Sequence, residues 1–245
     1  MGSTLRVGTC SWKYPSWNGL VYSKAAGIDY LSEYAARYDT VEVDQWFWAL
    51  PEPAAAAQYA SVTPDSFRFT VKLPNMLSLT HFYPKKGEPA PRPNPQFLSA
   101  PLFQDVVARL ESLSPKIGML MLQFEYLKKQ KMASQEEFLR HLGRFFDTIP
   151  RSLPIAVEPR NPRWIDQRYF EFLAERGLSH VFLQGYYMPS IFETWQRFGG
   201  LVRDSMMRDM KDRSLTIYLN INNHFEGSAP LTIERLRERG LFDGV

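Results

Sequence analysis

The feature that most constrains the fold of this chain is a regular alternation of short apolar runs with longer segments of helical period. A parallel sheet wrapped by helices requires such an alternation. Single apolar stripes predict the helices, for example Ile28, Leu31, Tyr34, Ala35 and Tyr38, and then Phe138, Leu142, Phe145 and Ile149. The predicted strands are residues 5–10, 40–45, 67–72, 117–123, 154–159, 179–184 and 215–222. We therefore expect an α/β fold.

The number of predicted strands is one short of a complete TIM-type β/α barrel, which normally closes with eight. The segment after Gly200 is too short for a helix, a strand and a further helix, so we expect one β/α unit there to be shortened or missing. No low-complexity linker divides the 245 residues, which predicts a single domain over residues 1–245. Residues 84–101 contain six prolines and are expected to form a loop, either over the barrel mouth or as a plain surface connection.

The charge balance is nearly even, with 29 Lys and Arg against 26 Asp and Glu. A dedicated nucleic-acid binder carries a more concentrated positive field. We expect a small polar or anionic ligand as partner, with nucleic acid possible but not favoured, no membrane partner and the oligomeric state left open. Cys10 is the single cysteine, and residues 1–10 lack the apolar region of a secretory signal. Both features favour a cytoplasmic protein.

Alternate residues of the predicted strands divide into an apolar and a polar face. Polar or charged side chains share one face in the strands that carry Glu42 and Asp44, Thr70 and Lys72, Glu158 and Arg160, and Asn220 and Asn222. The apolar face should pack against helices, so the polar face should point into the barrel. Late strand positions lie at the end where TIM barrels build their sites. An internal salt-bridge lattice that only fills the barrel is the structural alternative.

Six motifs in order resemble the domain-of-unknown-function family 72, also called YecE-like. They are VGTCSWKYPSWNGLVY, VEVDQWFWALP, FRFTVKLP followed by THF, IGMLMLQF, LPIAVEPRNPRW and LNINNHFEGSAPLTIERL. The resemblance implies a TIM-type barrel and no settled activity. It places the following residues in the pocket: Trp12, Tyr14, Trp17, Glu42, Lys72, His81, Glu158, Arg160, Trp164, Asn222, Asn223, His224 and Gly227.

The chain also departs from the family pattern at several positions. Asp44 stands where Asn is usual, Asn161 stands where His is common, and QFEY, which begins at Gln123, replaces QFPP. The family's Arg-Leu-His-Gly strand is not found after Gly200. We include Asp44 and Gln123 among the expected substrate-binding residues.

Glu42 and Glu158 form the most attractive catalytic pair, because two carboxylates in unequal surroundings can divide acid and base roles. Their separation would decide whether glycoside cleavage proceeded with retention or inversion. Lys72 or Arg160 would keep one carboxylate ionised. His224 follows the last strand, where an imidazole could relay protons. Of the other histidines, His81 comes second, and His141 and His180 are expected on the surface or in packing.

No compact metal motif and no nucleotide-binding glycine loop occurs, so no cofactor is assigned. A divalent metal held by oxygen ligands and His stays an alternative. Cys10 is expected to be a buried, inert thiol. Rings after the strands could stack on sugars or nucleobases, or simply pack in the loops, namely Trp12, Tyr14, Trp17, Trp46, Phe47, Trp48 and Trp164.

The leading hypothesis is an enzyme, a hydrolase or an isomerase, that acts on a small polar, sugar-like or phosphorylated substrate by carboxylate acid/base chemistry. Glu42, Glu158, Lys72 and His224 are its expected catalytic residues. A metal-assisted phosphodiesterase on nucleic acid and a non-catalytic binding barrel are the alternatives.

Overall fold

The computed structural model describes residues 4–83, 92–150, 152–183, 185, 187–191, 193–194, 196–198, 216–223 and 227–239. Within them lies one sheet of seven strands, in the order β6-β5-β4-β3-β2-β1-β7, and every neighbouring pair is parallel. The strands are β1 Thr4–Thr9, β2 Thr40–Val43, β3 Arg68–Lys72, β4 Ile117–Gln123, β5 Ile155–Glu158, β6 Ser179–His180 and β7 Thr216–Ile221. Because all strands run the same way, their carboxyl ends form one edge of the sheet.

Helices cover the outer, apolar face of this sheet. They are α1 Tyr30–Ala35, α2 Pro53–Val62, α3 Ala100–Arg109, α4 Gln135–Thr148, α5 Gln167–Glu175 and α6 Ala229–Glu238. The Asp29 side chain accepts hydrogen bonds from the first backbone N–H groups of α1, and Ser134 and Asp166 do the same at α4 and α5. The predicted stripes of α1 and α4 are confirmed, because Leu31, Tyr34, Phe138 and Leu142 are buried.

The sheet curls, because side chains of β7 reach strands that are not its neighbours. Asn220 Nδ2 donates to Thr70 Oγ1 of β3 at 2.9 Å, although β1 and β2 lie between β7 and β3 in the sheet order. The Tyr218 hydroxyl lies so close to Gly118 of β4 that a Cβ at that position would collide with it. These two contacts cross the interior of the curled sheet.

Close packing of β1 and β2 also depends on a glycine. A Cβ at Gly8 would collide with the carbonyl oxygen of Thr40, its register partner in β2. On the outer face, the Tyr34 hydroxyl of α1 accepts from the Thr9 backbone N–H at 2.9 Å and donates to the Thr40 carbonyl at 3.0 Å. One tyrosine therefore fastens α1 to both strands.

All seven predicted strands are present, and the barrel-like α/β class is confirmed. The sixth strand is much shorter than expected, because its ladder with β5 contains only two residue pairs. The shortened unit predicted after Gly200 and residues 84–91 of the proline-rich segment lie outside the described residues. The rest of that segment is fastened by buried Asn94, whose Nδ2 donates to the Met76 carbonyl at 2.8 Å and to the Leu79 carbonyl at 2.6 Å.

Candidate functional site

An ion pair joins the second and third strands inside the barrel. Glu42 lies in β2 with 6% of its surface exposed, and its Oε1 lies 2.8 Å from Lys72 Nζ at the end of β3. Burial by itself lowers the pKa of Lys72, but the charges of Glu42 and Glu158 outweigh burial, so the pKa is raised. Lys72 is therefore a permanent cation at neutral pH and not an amine nucleophile.

A second ion pair lies at the end of the fifth strand. Glu158 is 3% exposed, and its Oε1 accepts from Arg160 Nε at 2.8 Å and lies 2.6 Å from Arg160 Nη2. Burial raises the pKa of Glu158 more than Arg160 and Lys72 lower it, and the negative charge of Glu42 raises it further. Because each ion pair shifts the other, Glu42, Lys72, Glu158 and Arg160 act as one electrostatic unit, which we call the ion cluster.

Asn220 and Thr70 lie next to the ion cluster in the barrel interior. The Cys10 thiol lies beside them, with its Sγ 3.7 Å from the Asn220 carbonyl oxygen. Burial and the nearby charge of Glu42 raise the pKa of Cys10 far above the usual thiol range. The raised pKa keeps the thiol protonated at neutral pH, and the residue is partly buried rather than fully buried as the sequence predicted.

Two buried amide oxygens of this interior, Gln123 Oε1 and Asn220 Oδ1, accept no hydrogen bond from the described residues. The Glu42 carboxylate already has donors, because Lys72 Nζ lies 2.8 Å from its Oε1 and the Cys10 thiol also hydrogen-bonds to it. Gln123 ends β4 and pairs in register with Glu158, which places the two side chains next to each other. Buried acceptors in folded proteins normally find donors, so the two amide oxygens can accept hydrogen bonds from a ligand.

Several rings that the sequence placed in the pocket pack in the core or against it. Trp12 and Trp17 are almost fully buried, and Trp12 packs edge-on against Tyr59 at 5.1 Å between ring centroids. Trp46 is also buried, and Trp164 stacks on Phe138 of α4 at 5.1 Å. For these rings the packing alternative describes the observed contacts, and we leave them out of the proposed ligand site.

The remaining residues that the sequence placed in the pocket lie around the barrel mouth or outside the described residues. Tyr14 packs against Trp17 at 4.6 Å, and its pKa is raised by burial and by the charge of Asp44. His81 Nδ1 lies 3.1 Å from Thr80 Oγ1, and Asn222 is exposed. Asn223 Oδ1 accepts from Trp17 Nε1 and from the Ala229 N–H, so that oxygen holds the loop before α6. His224 lies outside the described residues.

The other histidines and the metal alternative gain no site in the described part of the chain. There, no three His, Cys, Asp or Glu side chains meet in a group that could hold a metal ion. His180 lies among the rings of Tyr169, Phe170 and Phe182, and burial lowers its pKa to about 3. Although His180 is partly exposed, its contacts with these rings give it a packing role. His141 packs edge-on against Phe97 at 5.9 Å.

A comparison with known protein families identifies the family of this chain. The family model described as "Protein of unknown function DUF72" matches residues 6–241. This chain belongs to the DUF72 family. The resemblance expected from its motifs is thereby confirmed.

Among DUF72 relatives, the UPF0759 protein YecE of Escherichia coli K12 is 28% identical over 186 residues. That alignment covers 72% of this chain and only 58% of the E. coli protein. The crystal structure of a DUF72 family protein from Thermotoga maritima MSB8 matches with a TM-score of 0.63 and 18% identity, over 96% of this chain and 99% of that one. One from Enterococcus faecalis V583 gives a TM-score of 0.59 and 18% identity, over 96% and 94%. At these identities the structures support the fold alone.

The DUF72 chain also carries an exposed aromatic rim, which we define as Trp48, Tyr83, Tyr126 and Tyr187. These side chains follow the ends of β2, β3, β4 and β6, and their residues are 73%, 58%, 51% and 57% exposed. The rings of Tyr126 and Tyr187 meet at right angles with centroids 6.1 Å apart. Sequence reasoning included only Trp48 of these four, because position after a strand end does not by itself separate exposed rings from packed ones.

The loop that carries Tyr126 is held by Asn161, where the family resemblance led us to expect a His. Asn161 Oδ1 accepts from the Leu127 N–H at 2.8 Å, and its Nδ2 donates to the Leu127 carbonyl at 2.9 Å. Both bonds are buried. The departure therefore has a structural role beside the ion cluster.

In the described residues, no helix combines the length and apolarity that a bilayer crossing needs.

Proposed function

We propose that this chain is an enzyme that acts on a small polar, sugar-like substrate by general acid/base catalysis. The observation that carries the proposal is the ion cluster, in which two buried carboxylates from different strands lie at the carboxyl edge of the sheet, each with its own cation. That edge is where barrels of this type place their chemistry. Proton transfer of this kind serves both hydrolysis and isomerisation.

Glu158 is the proposed general acid and Glu42 the proposed base. The raised pKa of Glu158 keeps a larger share of its side chain protonated at neutral pH than an ordinary glutamate would have. Glu42 faces the Lys72 ammonium at 2.8 Å, which suits an ionised carboxylate. Two carboxylates whose surroundings differ in this way can hold opposite protonation states, as acid and base catalysis requires.

Lys72 and Arg160 are the proposed stabilisers of charge that develops on the substrate. Both cations lie on the inner side of the barrel, where an electrostatic contact is stronger than in water. A lattice of salt bridges that only fills the barrel would explain the ion pairs equally well. It would not explain why Gln123 Oε1 and Asn220 Oδ1 beside them accept no hydrogen bond from the part of the chain that the structure describes.

We further propose that the enzyme works in the cytoplasm. Cys10, its single cysteine, lies inside the barrel beside Glu42 and has no disulfide partner in the chain. A thiol that stays reduced suits a reducing compartment.

The test is a proton NMR screen in D2O of neutral and phosphorylated sugars, polyols and glycosides, which detects hydrolysis, isomerisation and exchange of carbon-bound hydrogen together. For a compound that the wild type converts, Glu158→Gln should lower the rate by about 100-fold or more, because the amide cannot donate or accept the catalytic proton. Glu42→Gln should lower it similarly.

The matched control is Asp105→Asn, which makes the same acid-to-amide change in an exposed ion pair with Arg109 on α3. It should leave the rate unchanged. Wild-type rates in both Glu158→Gln and Glu42→Gln would remove the acid/base assignment. Binding without any conversion by the wild type would identify a non-catalytic barrel.

A further inference from the structure

The two amide acceptors, Gln123 Oε1 and Asn220 Oδ1, lie on the same inner face of the barrel. Gln123 sits between Leu122 and Phe124, which are buried on the outer side, and the Phe124 ring packs edge-on against Phe138 of α4 at 4.9 Å. Since neighbouring side chains of a strand point to opposite faces, Gln123 points inward. Asn220 reaches across the interior to Thr70, which is the register partner of Glu42. The ion cluster and the two acceptors therefore line the same inner face.

The cations that the described residues bring to this site are paired with carboxylates. Lys72 lies 2.8 Å from Glu42, and Arg160 contacts Glu158 through two nitrogens at 2.8 and 2.6 Å. A phosphate group would have to take one of these cations from a buried carboxylate, which leaves that carboxylate unpaired in a poorly solvated site. The pairing of these four side chains thus disfavours an anionic ligand.

The unused hydrogen-bonding capacity is of the acceptor kind, so the matching ligand must bring donors. A hydroxyl group donates without adding charge, whereas the carboxylates that would pair with an ammonium group already hold Lys72 and Arg160. The exposed aromatic rim supplies apolar ring faces and edges at the mouth, against which the C–H faces of a sugar ring can pack.

We propose that the substrate is an uncharged polyhydroxyl compound, a sugar or polyol without phosphate, whose hydroxyls donate to Gln123 Oε1 and Asn220 Oδ1. Gln123 is a specificity-determining residue of this site. This inference rests on the proposed function, since it names the substrate class of the same pocket. It also selects the sugar-like substrate over the phosphorylated one, which the sequence had left open together.

The experiment measures binding to the full chain by saturation-transfer NMR and titration calorimetry. The probes are matched pairs, such as glucose with glucose 6-phosphate and myo-inositol with its monophosphate, extended to other neutral aldoses, ketoses and cyclitols with their phosphates. The neutral member of a pair should bind about tenfold more tightly than its phosphate ester, the difference expected for about one hydrogen bond. Tighter binding of the esters, or no binding of any neutral member at millimolar concentration, would overturn the inference.

Two variants separate ligand recognition from a structural role. Gln123→Met has nearly the same shape and no acceptor, so it should weaken binding of the neutral compound about tenfold and leave the melting temperature of the free protein unchanged or higher. Gln123→Asn keeps an uncharged amide acceptor on a shorter side chain and should lose less affinity than Gln123→Met. A lower melting temperature with unchanged affinity in Gln123→Met would give Gln123 a structural role only.

The outcomes also separate this inference from the proposed function. Turnover that depends on Glu158 but prefers phosphate esters would contradict the proposed substrate class and support the acid/base chemistry. Selective binding of neutral polyols by the wild type and by Glu158→Gln, with no turnover by either, would keep the ligand class and remove the catalysis.

Discussion

At the scale of single residues, Glu42 and Glu158 meet their cations in different ways. Glu42 pairs with Lys72 of the neighbouring strand, whereas Glu158 pairs with Arg160, two residues further along the same chain segment. Arg160 and Lys72 both lower the pKa of Glu158, and burial still dominates. A local partner therefore holds Glu158 in position without fully stabilising its ionised form, which is the condition that a buried general acid needs.

Removal of Arg160 should raise the pKa of Glu158 further. Glu158 already has a folded-state pKa above its unfolded value, so the stability it contributes is present at acidic pH and is lost as pH rises through the folded-state pKa. Arg160→Met should therefore cost little stability below the unfolded pKa of Glu, about 4.3, and progressively more above it. Carbon-13 NMR titration of the Glu carboxyls gives the pKa, and urea unfolding at several pH values gives the stability.

Arg109→Met is the control for this titration. Arg109 pairs with Asp105 on the exposed surface of α3, so its loss should not move the Glu158 resonance. An unchanged Glu158 titration in Arg160→Met would mean that the Arg160 contact is absent in solution.

At the scale of elements, strand positions and inner faces could be predicted, and loop packing could not. The sequence placed Glu42, Lys72 and Asn220 on the inner face, because alternate residues of a strand point to the same side. No such period governs the segments after the strands. Trp17 is buried and Tyr126 exposed through contacts with distant residues, for example the Asn161 bonds that hold the Tyr126 loop.

The end of α2 also depends on a distant residue. Lys116, which is almost fully buried just before β4, donates to the Ala60 carbonyl at 2.7 Å and to the Thr63 carbonyl at 2.6 Å. These carbonyls lie at the carboxyl end of the helix, which favours a cation. Lys116→Met should lower the free energy of unfolding by about 2–3 kcal/mol, since charged hydrogen bonds are lost and their acceptors stay buried. Urea denaturation measures the change.

Lys129→Met makes the same substitution at an exposed position after β4 and should change stability by less than about 0.5 kcal/mol. Equal effects of the two substitutions would mean that the Lys116 bonds do not support α2.

At the scale of the whole molecule, the parallel sheet could be predicted, and the way its interior is filled could not. Alternating strands and helices dictate a parallel sheet of β/α units. The contacts of β7 with β3 and β4 arise only when the sheet curls, and they join residues far apart in sequence, such as Asn220 and Thr70. The same curling brings Glu158 close enough to affect the pKa of Lys72, although β4 separates their strands.

The curled interior can be tested at its most crowded crossing, where the Tyr218 ring of β7 lies against Gly118 of β4. Gly118→Ala should destabilise the protein by about 1–3 kcal/mol, because the added methyl group collides with the end of a rigid ring that spans the barrel. Tyr218→Leu, which shortens that side chain, should remove most of the penalty when the two changes are combined. A double-mutant cycle of urea unfolding measures this coupling. In a flat sheet the two residues would not meet, so additive effects would contradict the curled barrel.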